Sequence, residues 1–401
     1  MDTIESAQRR LIQCLPRVVE TELVSLNHAL GRVLAEGVLS QYDVPPSMVS
    51  LFDGYALTAP THCAEVRTVA GQSYAGDAPQ SLPSRDVAWR IFTGAALPLG
   101  SDTVIAQESV TRQEDGRIVL NEVLRVGAGV RQQGADTQIG QCVLSAGTRL
   151  DAAHLGLLAS VGVAEIAVVR KLRVALFTTG DELIEPGCAL PPGKIFNANH
   201  ALLRAAMARL SIEVLDLGVL PDEPVAIRAA LLRGASEADL VLTSGGVSVG
   251  DADWVRQVVA DIGCIDTWRV FLKPGKPLAF GRIGDTPFIG LPGNPVSTFI
   301  TFFLFVRPAI RAMVGADPDI DRPAPRLPLA QPWAGGDRPE FIRVKRARSI
   351  AGQTHLLTFP NQNSGLLSSI AWADGVALIP ADSTLAEGDF VDYFPFEGWY
   401  L

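Results

Sequence analysis

Four short loops in the middle of the chain collect residue types that handle anions and hard cations: TTGDEL (178–183), TSGGVSVGDAD (243–253), KPGKP (273–277) and LPGNP (291–295). Gly245 and Gly246 lack Cβ atoms and can take positive φ, so successive amides can turn toward an anion at the mouth of the following helix. Ser248 belongs to the same loop and joins the expected substrate-binding set. Asp251 and Asp253 come directly after, and they would repel a phosphate unless a cation stood between. Magnesium, typically held by one or two carboxylates with phosphate oxygens and water, reconciles the two features. Glu182 in TTGDEL and Asp222 in LPDEP, after a strand read as ending at Leu217, add carboxylates at neighbouring strand ends. A plainer reading stays open: Asp251 as helix N-cap, Asp253 in a first turn favoured by the helix dipole, and the glycines as a tight turn.

Lys273 and Lys276 stand three apart across Pro-Gly, where a stiff backbone presents compact point charges suited to an oxyanion. Pro292 and Pro295 bracket a preset loop before a helix start, whose amides again favour an anion. Outside this region Asp53 sits beside Gly54 and Tyr55 in SLFDGYALTA (50–59), and Thr93-Gly94 follows a strand in RIFTGAALPLGSDTVIAQE (90–108). Singly, these last two read as hairpin turns.

The elements that position such loops are legible in the apolar patterning. Residues 172 to 315 alternate strand-like and helix-like runs, which implies a largely parallel, doubly wound sheet. Ligands of open α/β sheets lie outside the carboxyl ends of the strands, where the loops fall. Before this region, residues 4 to 14 form an amphipathic helix, and a strand leads to a break at Pro45-Pro46. Short β-rich runs continue to about residue 140. A helix-like run at 152 to 162 is expected to pack back on the first helix, making the β segment an insertion. After a proline-rich connection, residues 326 to 401 read as short strands with no helical period.

Composition bounds the function. The 401 residues are 48% hydrophobic and 19% charged, an ordinary globular make-up long enough for several domains. A formal charge of -9 argues against nucleic acid, whose binders display basic faces. The start, MDTIESAQRRLIQCL, places acids and arginines where a signal peptide has its apolar core, so a cytoplasmic protein is expected. The most apolar stretch, Val296 to Val306 before Arg307 and Pro308, spans 11 residues and reads as a buried helix rather than a membrane span. Cys14, Cys63, Cys142, Cys188 and Cys264 show no CxxC spacing and are expected to be buried thiols. The five histidines are scattered, which gives a histidine metal site little support.

In this order and at these separations, SLFDGYA, IFTGAALPLGSDTVI, TTGDEL, TSGGVSVGDAD, KPGKPLAFG and FIGLPGNPVS resemble the molybdopterin molybdenumtransferases, the MoeA and gephyrin E-domain family. The likeness runs from about residue 5 onward. It implies a multidomain α/β plus β protein: a linker domain at 1–45 and 141–171, an inserted small β domain at 46–140, a molybdopterin-binding, MogA-like α/β domain at 172–317, and a β-barrel domain at 318–401. It further implies an elongated homodimer whose cleft combines the α/β domain of one subunit with the β domain of the other. Such enzymes take adenylylated molybdopterin, cleave its pyrophosphate with Mg2+, release AMP and insert molybdate into the dithiolene. Carried onto this sequence, the functional acids are Asp53, Asp136, Glu182, Asp222 and Asp253. Thr93, Lys273, Lys276, Pro292, Pro295, Arg338, Arg343 and Ser364 also align with family motif positions. The acids would hold Mg2+ or orient water; the cations would bind molybdate and phosphates. Candidate partners are the adenylyltransferase that makes the substrate and the enzymes that receive the cofactor.

The sequence departs from the family pattern in places. Phe52 replaces a methionine, Ala135 precedes Asp136 where an acid is usual, and Arg269 replaces a lysine four residues before Lys273. Two other readings are a molybdopterin adenylyltransferase, which would be a short chain or carry a second copy of the middle domain, and a gephyrin-type scaffold, which would tolerate loss of the acids.

Overall fold

A computed structural model describes residues 3–246, 254–275, 277–318, 324–348 and 352–399. The apolar runs of the middle segment form β1 (Arg173–Thr179), β2 (Glu213–Leu220), β3 (Leu240–Ser244), β4 (Gly263–Arg269), β5 (Pro277–Ile283) and β6 (Thr286–Leu291). They make one sheet in the order β2-β1-β3-β6-β5-β4. The first four are mutually parallel, as the alternation with helices requires. β5 alone runs antiparallel to its neighbours β6 and β4, and it is joined to β6 only by Gly284-Asp285, too short for a crossover helix. β2 extends past Leu217 to Leu220: the register skips Leu217 and resumes at Gly218, whose φ of +74° a bulge needs.

Successive residues of β1 feed opposite faces. Val174 and Leu176 join a core with Leu203, Met207 and Phe299 to Val306, whereas Ala175 and Phe177 join Ile227, Leu231, Val255 and Val259. The helices Ala198–Ala208 and Pro295–Met313 therefore cover one face, and Pro224–Glu237 and Trp254–Ile262 the other.

The helix Pro295–Met313 runs past the 11-residue stretch expected from the sequence. It continues through Arg307 and Pro308 to span 19 residues, long and apolar enough by length and composition to cross a membrane, yet 89% of its apolar window is buried as core. A π-turn at Phe302–Val306 precedes the proline. Pro308 offers no N–H to the carbonyl four residues back, and that carbonyl, Leu304 O, accepts Gln8 Nε2 at 2.6 Å. Gln8 comes from the first helix, Ile4–Gln13, which sinks Ala7 and Leu11 into the same core. The expected packing of this helix on Ala152–Ser160 does not form: Leu158 of the latter lies in a separate cluster with Ala29, Leu34 and Val168.

Thr21–Ser25 pairs with Glu165–Val169, and Val38–Leu39 with Cys142–Leu144, so the chain returns to its own beginning after an excursion. Within that excursion six strands form a sheet in the order Thr103–Ala106, Gly54–Leu57, Val87–Ile91, Val66–Ser73, Ile118–Leu120, Val110–Arg112. Near the end of the chain, Arg326–Pro328, Phe390–Pro395, Gly375–Ile379, Glu340–Arg348 and Thr354–Thr358 make a five-stranded sheet. This segment also contains the short helices Leu367–Trp372 and Phe396–Trp399, absent from the strand-only expectation. All five cysteines are free and exposed, contrary to the expectation of buried thiols. They sit at a helix end (Cys14), in turns (Cys63, Cys188), in a two-stranded ribbon (Cys142) and on the edge strand β4 (Cys264).

Candidate functional site

The loops after β1, β2, β3 and β6, and the one entering β5, share the carboxyl edge of the parallel strands. Two of them lock together through acids. The Thr179 hydroxyl donates to Asp222 Oδ1, the Asp181 N–H donates to Asp222 Oδ2 at 3.3 Å, and the Asp222 N–H returns to Asp181 Oδ1 at 3.2 Å. Glu182 folds back over Gly180, where a Cβ would lie 2.7 Å from its carboxylate. Among the described residues no donor reaches that carboxylate, although the Lys194 ammonium binds the neighbouring Asp181 carbonyl.

Gly245 and Gly246 hold φ of +94° and +66°, and added Cβ atoms would lie 2.6 Å from Thr179 O and 2.5 Å from Val255 Cγ2. The turn therefore presses on the loop after β1. Its Gly245 N–H donates to Leu291 O at 3.2 Å, so this amide serves loop packing instead of an anion nest. The LPGNP loop is fixed just as closely. The Pro292 carbonyl accepts from Ser244 (3.0 Å) and Thr298 (2.5 Å), while Asn199 Nδ2 bridges Ser244 Oγ (2.9 Å) and Gly293 O (2.7 Å). Val296 N–H, in the first turn of the helix that Pro295 opens, donates to Ser364 O at 3.1 Å, which seats the Ser364 loop against it.

The cations come next. Lys273 exchanges backbone hydrogen bonds with Pro339 and Phe341, and its ammonium lies 2.9 Å from Glu340 Oε1. Glu340 is 5% exposed while Lys273 is half-exposed, so a buried acid tethers an accessible ammonium. Arg338 Nη1 donates to Leu272 O at 3.3 Å. Arg343 is fully buried: Nε donates to Ser369 Oγ at 3.0 Å and Nη2 to Asn363 O at 3.2 Å, whereas Nη1 is buried with no partner. Burial pulls the Arg343 guanidinium down to about 10, with Glu340 working in the opposite direction.

A second group lies in the β excursion. Asp53 Oδ1 accepts both the N–H and the hydroxyl of Thr93, each at 2.9 Å. These two bonds, with Arg90 nearby, hold the exposed Asp53 carboxyl below its ordinary range against a small desolvation cost. Asp136 is exposed on a loop pinned by its N–H to Val44 O at 2.9 Å. No hydrogen bond or ion pair among the described residues joins Asp53, Thr93 or Asp136 to the α/β edge. Ser248, Asp251, Asp253 and Lys276 lie outside the described residues, and Arg269 is placed by its backbone alone, opposite Pro277. Among the described residues no group of three or more His, Cys, Asp or Glu is arranged to hold a metal.

Sequence reasoning missed Asp181, Asn199 and Glu340. Asp181 stands beside Glu182 in TTGDEL and Glu340 lies between Arg338 and Arg343, but the partner that gives each its role is distant in sequence.

Three family profiles cover the chain: the MoeA N-terminal region (domain I and II) at residues 3–162, a probable molybdopterin binding domain at 175–312, and the MoeA C-terminal region (domain IV) at 326–396. A molybdopterin molybdenumtransferase of Haemophilus influenzae is 40% identical over 316 residues, 79% of this chain and 78% of that protein. One from Nostoc sp. is 34% identical over 402 residues, 93% of this chain and 88% of its own. A crystal structure of the molybdopterin biosynthesis MoeA protein of Pyrococcus horikoshii OT3 superposes with a TM-score of 0.83 at 28% identity, covering 98% of this chain and 99% of that one. A second Pyrococcus MoeA structure reaches 0.79 at 30% identity over 100% of both chains. With the same three regions in the same order and relatives matched along most of their length, the chain belongs to the molybdopterin molybdenumtransferase (MoeA) family, transferases of molybdenum cofactor biosynthesis.

Proposed function

We propose that this chain inserts molybdate into molybdopterin delivered in adenylylated form, with Mg2+-dependent cleavage of the pyrophosphate and release of AMP. The observation that carries the reading is the meeting of a carboxylate with no donor among the described residues and loop backbone at one sheet edge: Glu182 over Gly180, Asp222 beside it, and the Gly245-Gly246 turn pressed against Thr179. Hard carboxylate oxygens suit Mg2+, and Glu182 and Asp222 would hold it with help from Asp251 or Asp253. Bound there, the ion would neutralise phosphate oxygens and make the phosphorus easier to attack. Lys273, tethered by Glu340, keeps ammonium N–H donors for an oxyanion. Arg343 Nη1 is a buried donor that lacks an acceptor among the described residues, and the Asn363–Ser364 turn joins this arginine to the LPGNP loop.

Asp53, oriented by Thr93, and Asp136 would reach such a cleft from the partner subunit of a homodimer, since among the described residues of one chain no bond links them to it. Water attacking the adenylyl phosphorus would lose its proton to a carboxylate as the phosphoanhydride bond breaks, giving AMP that carries the water oxygen and molybdopterin that keeps the bridging oxygen on its own phosphate. The strand pairings support the division into 1–45 with 141–171, 46–140, 172–317 and 318–401. The test is AMP release from adenylylated molybdopterin titrated with magnesium. Glu182→Gln should lower the rate by about a hundredfold or more at unchanged folding. Full-rate release by that variant, or by the wild type without divalent cation, overturns the reading.

A further inference from the structure

Beside Asp53, an arginine is stacked among aromatic rings. The Arg90 guanidinium lies over the Phe92 ring at 4.6 Å and over the buried Tyr55 ring at 5.1 Å. Phe92 in turn stacks on Tyr74, with centroids 4.6 Å apart and planes within 8°. From this seat Arg90 Nη1 donates to Gly54 O at 3.0 Å and Nη2 to Gln107 Oε1 at 2.6 Å, while the backbone N–H of Gln107 donates to Asp53 O at 3.0 Å. Both carbonyls of the Asp53-Gly54 pair are therefore gripped from one side.

The carboxylate itself is held through Oδ1 alone by Thr93, and no donor among the described residues reaches Oδ2. Asp53 is exposed and needs no protein partner to stay solvated. Ordering the arginine side chain against the Gly54 carbonyl, and the Gln107 side chain against the arginine, costs conformational entropy. What the arrangement secures is the direction of Oδ2. A planar fork stacked on rings is well suited to that task, and the single ammonium of lysine is not.

We propose that Arg90 is a positioning residue for the transfer reaction: with Gln107 it fixes the Asp53-Gly54 backbone so that Asp53 presents a free carboxylate oxygen to the substrate. This rests on the reading of Asp53 as a functional acid. The test uses the purified full chain, with AMP release from adenylylated molybdopterin as the readout. Arg90→Lys should lower kcat about tenfold and leave KM within about twofold, and Gln107→Ala should lower kcat about threefold. In a double-mutant cycle, Arg90→Lys should add no further loss to the residual rate of Asp53→Asn, because it acts only through that side chain. If Asp53→Asn is crippled while Arg90→Lys and Gln107→Ala keep wild-type kcat, the positioning role is overturned and the role of Asp53 stands. An undiminished effect of Arg90→Lys on the Asp53→Asn background also overturns it. Full turnover by Asp53→Asn removes the underlying reading instead.

Discussion

A carboxylate that is 5% exposed, as Glu340 is, persists as an ion only beside a cation, and Lys273 supplies one at 2.9 Å. The same ammonium is the proposed oxyanion ligand, so two roles meet in one side chain. They separate experimentally. Lys273→Met should destabilise the protein by about 1–3 kcal/mol in urea unfolding, below the cost of breaking a fully buried pair because Lys273 is half-exposed. Adding Glu340→Gln should restore most of that stability, while the molybdate concentration needed for half-maximal insertion stays raised about tenfold. A double variant with normal molybdate dependence would show that Lys273 is a structural tether only. The lysine itself was legible in KPGKP; its acid was not, because Glu340 lies far along the chain inside a strand and carries no local signature.

At the scale of elements, the alternation of apolar strands and helices in residues 172 to 315 is visible because parallel strands must be buried on both faces. The antiparallel pairing of β5 with β6 follows from a connection of two residues, a cue present in Gly284-Asp285 though easily passed over among longer loops. The end of the last helix was misread for a physical reason. Proline breaks a helix by orphaning a carbonyl, and here a side chain from elsewhere repairs the loss: Gln8 Nε2 caps Leu304 O. Gln8→Leu should cost about 1–3 kcal/mol, since the buried carbonyl loses its donor and gains no other. Chemical denaturation measures this directly, and a neutral result would mean the π-turn satisfies Leu304 unaided. Local sequence shows where loops lie, whereas a lock such as Asp181 with Asp222, 41 residues apart, exists only after folding.

At the scale of the whole molecule, one core joins the two ends of the chain. Ala7 and Leu11 from the first helix, Phe299 to Val306 from the middle, and Phe341, Ile370 and Trp399 from the last segment belong to a single buried cluster. Trp399 stacks on Phe303 at 4.8 Å, and Phe396 meets Phe299 edge-on at 5.0 Å. Trp399→Ala should therefore cost about 3–5 kcal/mol. The loss should appear by calorimetry as one shifted transition for the chain; a separate early transition, with the rest unmoved, would mean the terminal segment is energetically independent. Gln8 and its acceptor are 296 residues apart, and this sets a timetable for biosynthesis. A ribosome adding 5–20 residues per second needs roughly 15 to 60 s to deliver the seat of the first helix after making the helix itself. For that interval the newborn first helix carries an uncovered greasy stripe, an opening for a chaperone to hold it.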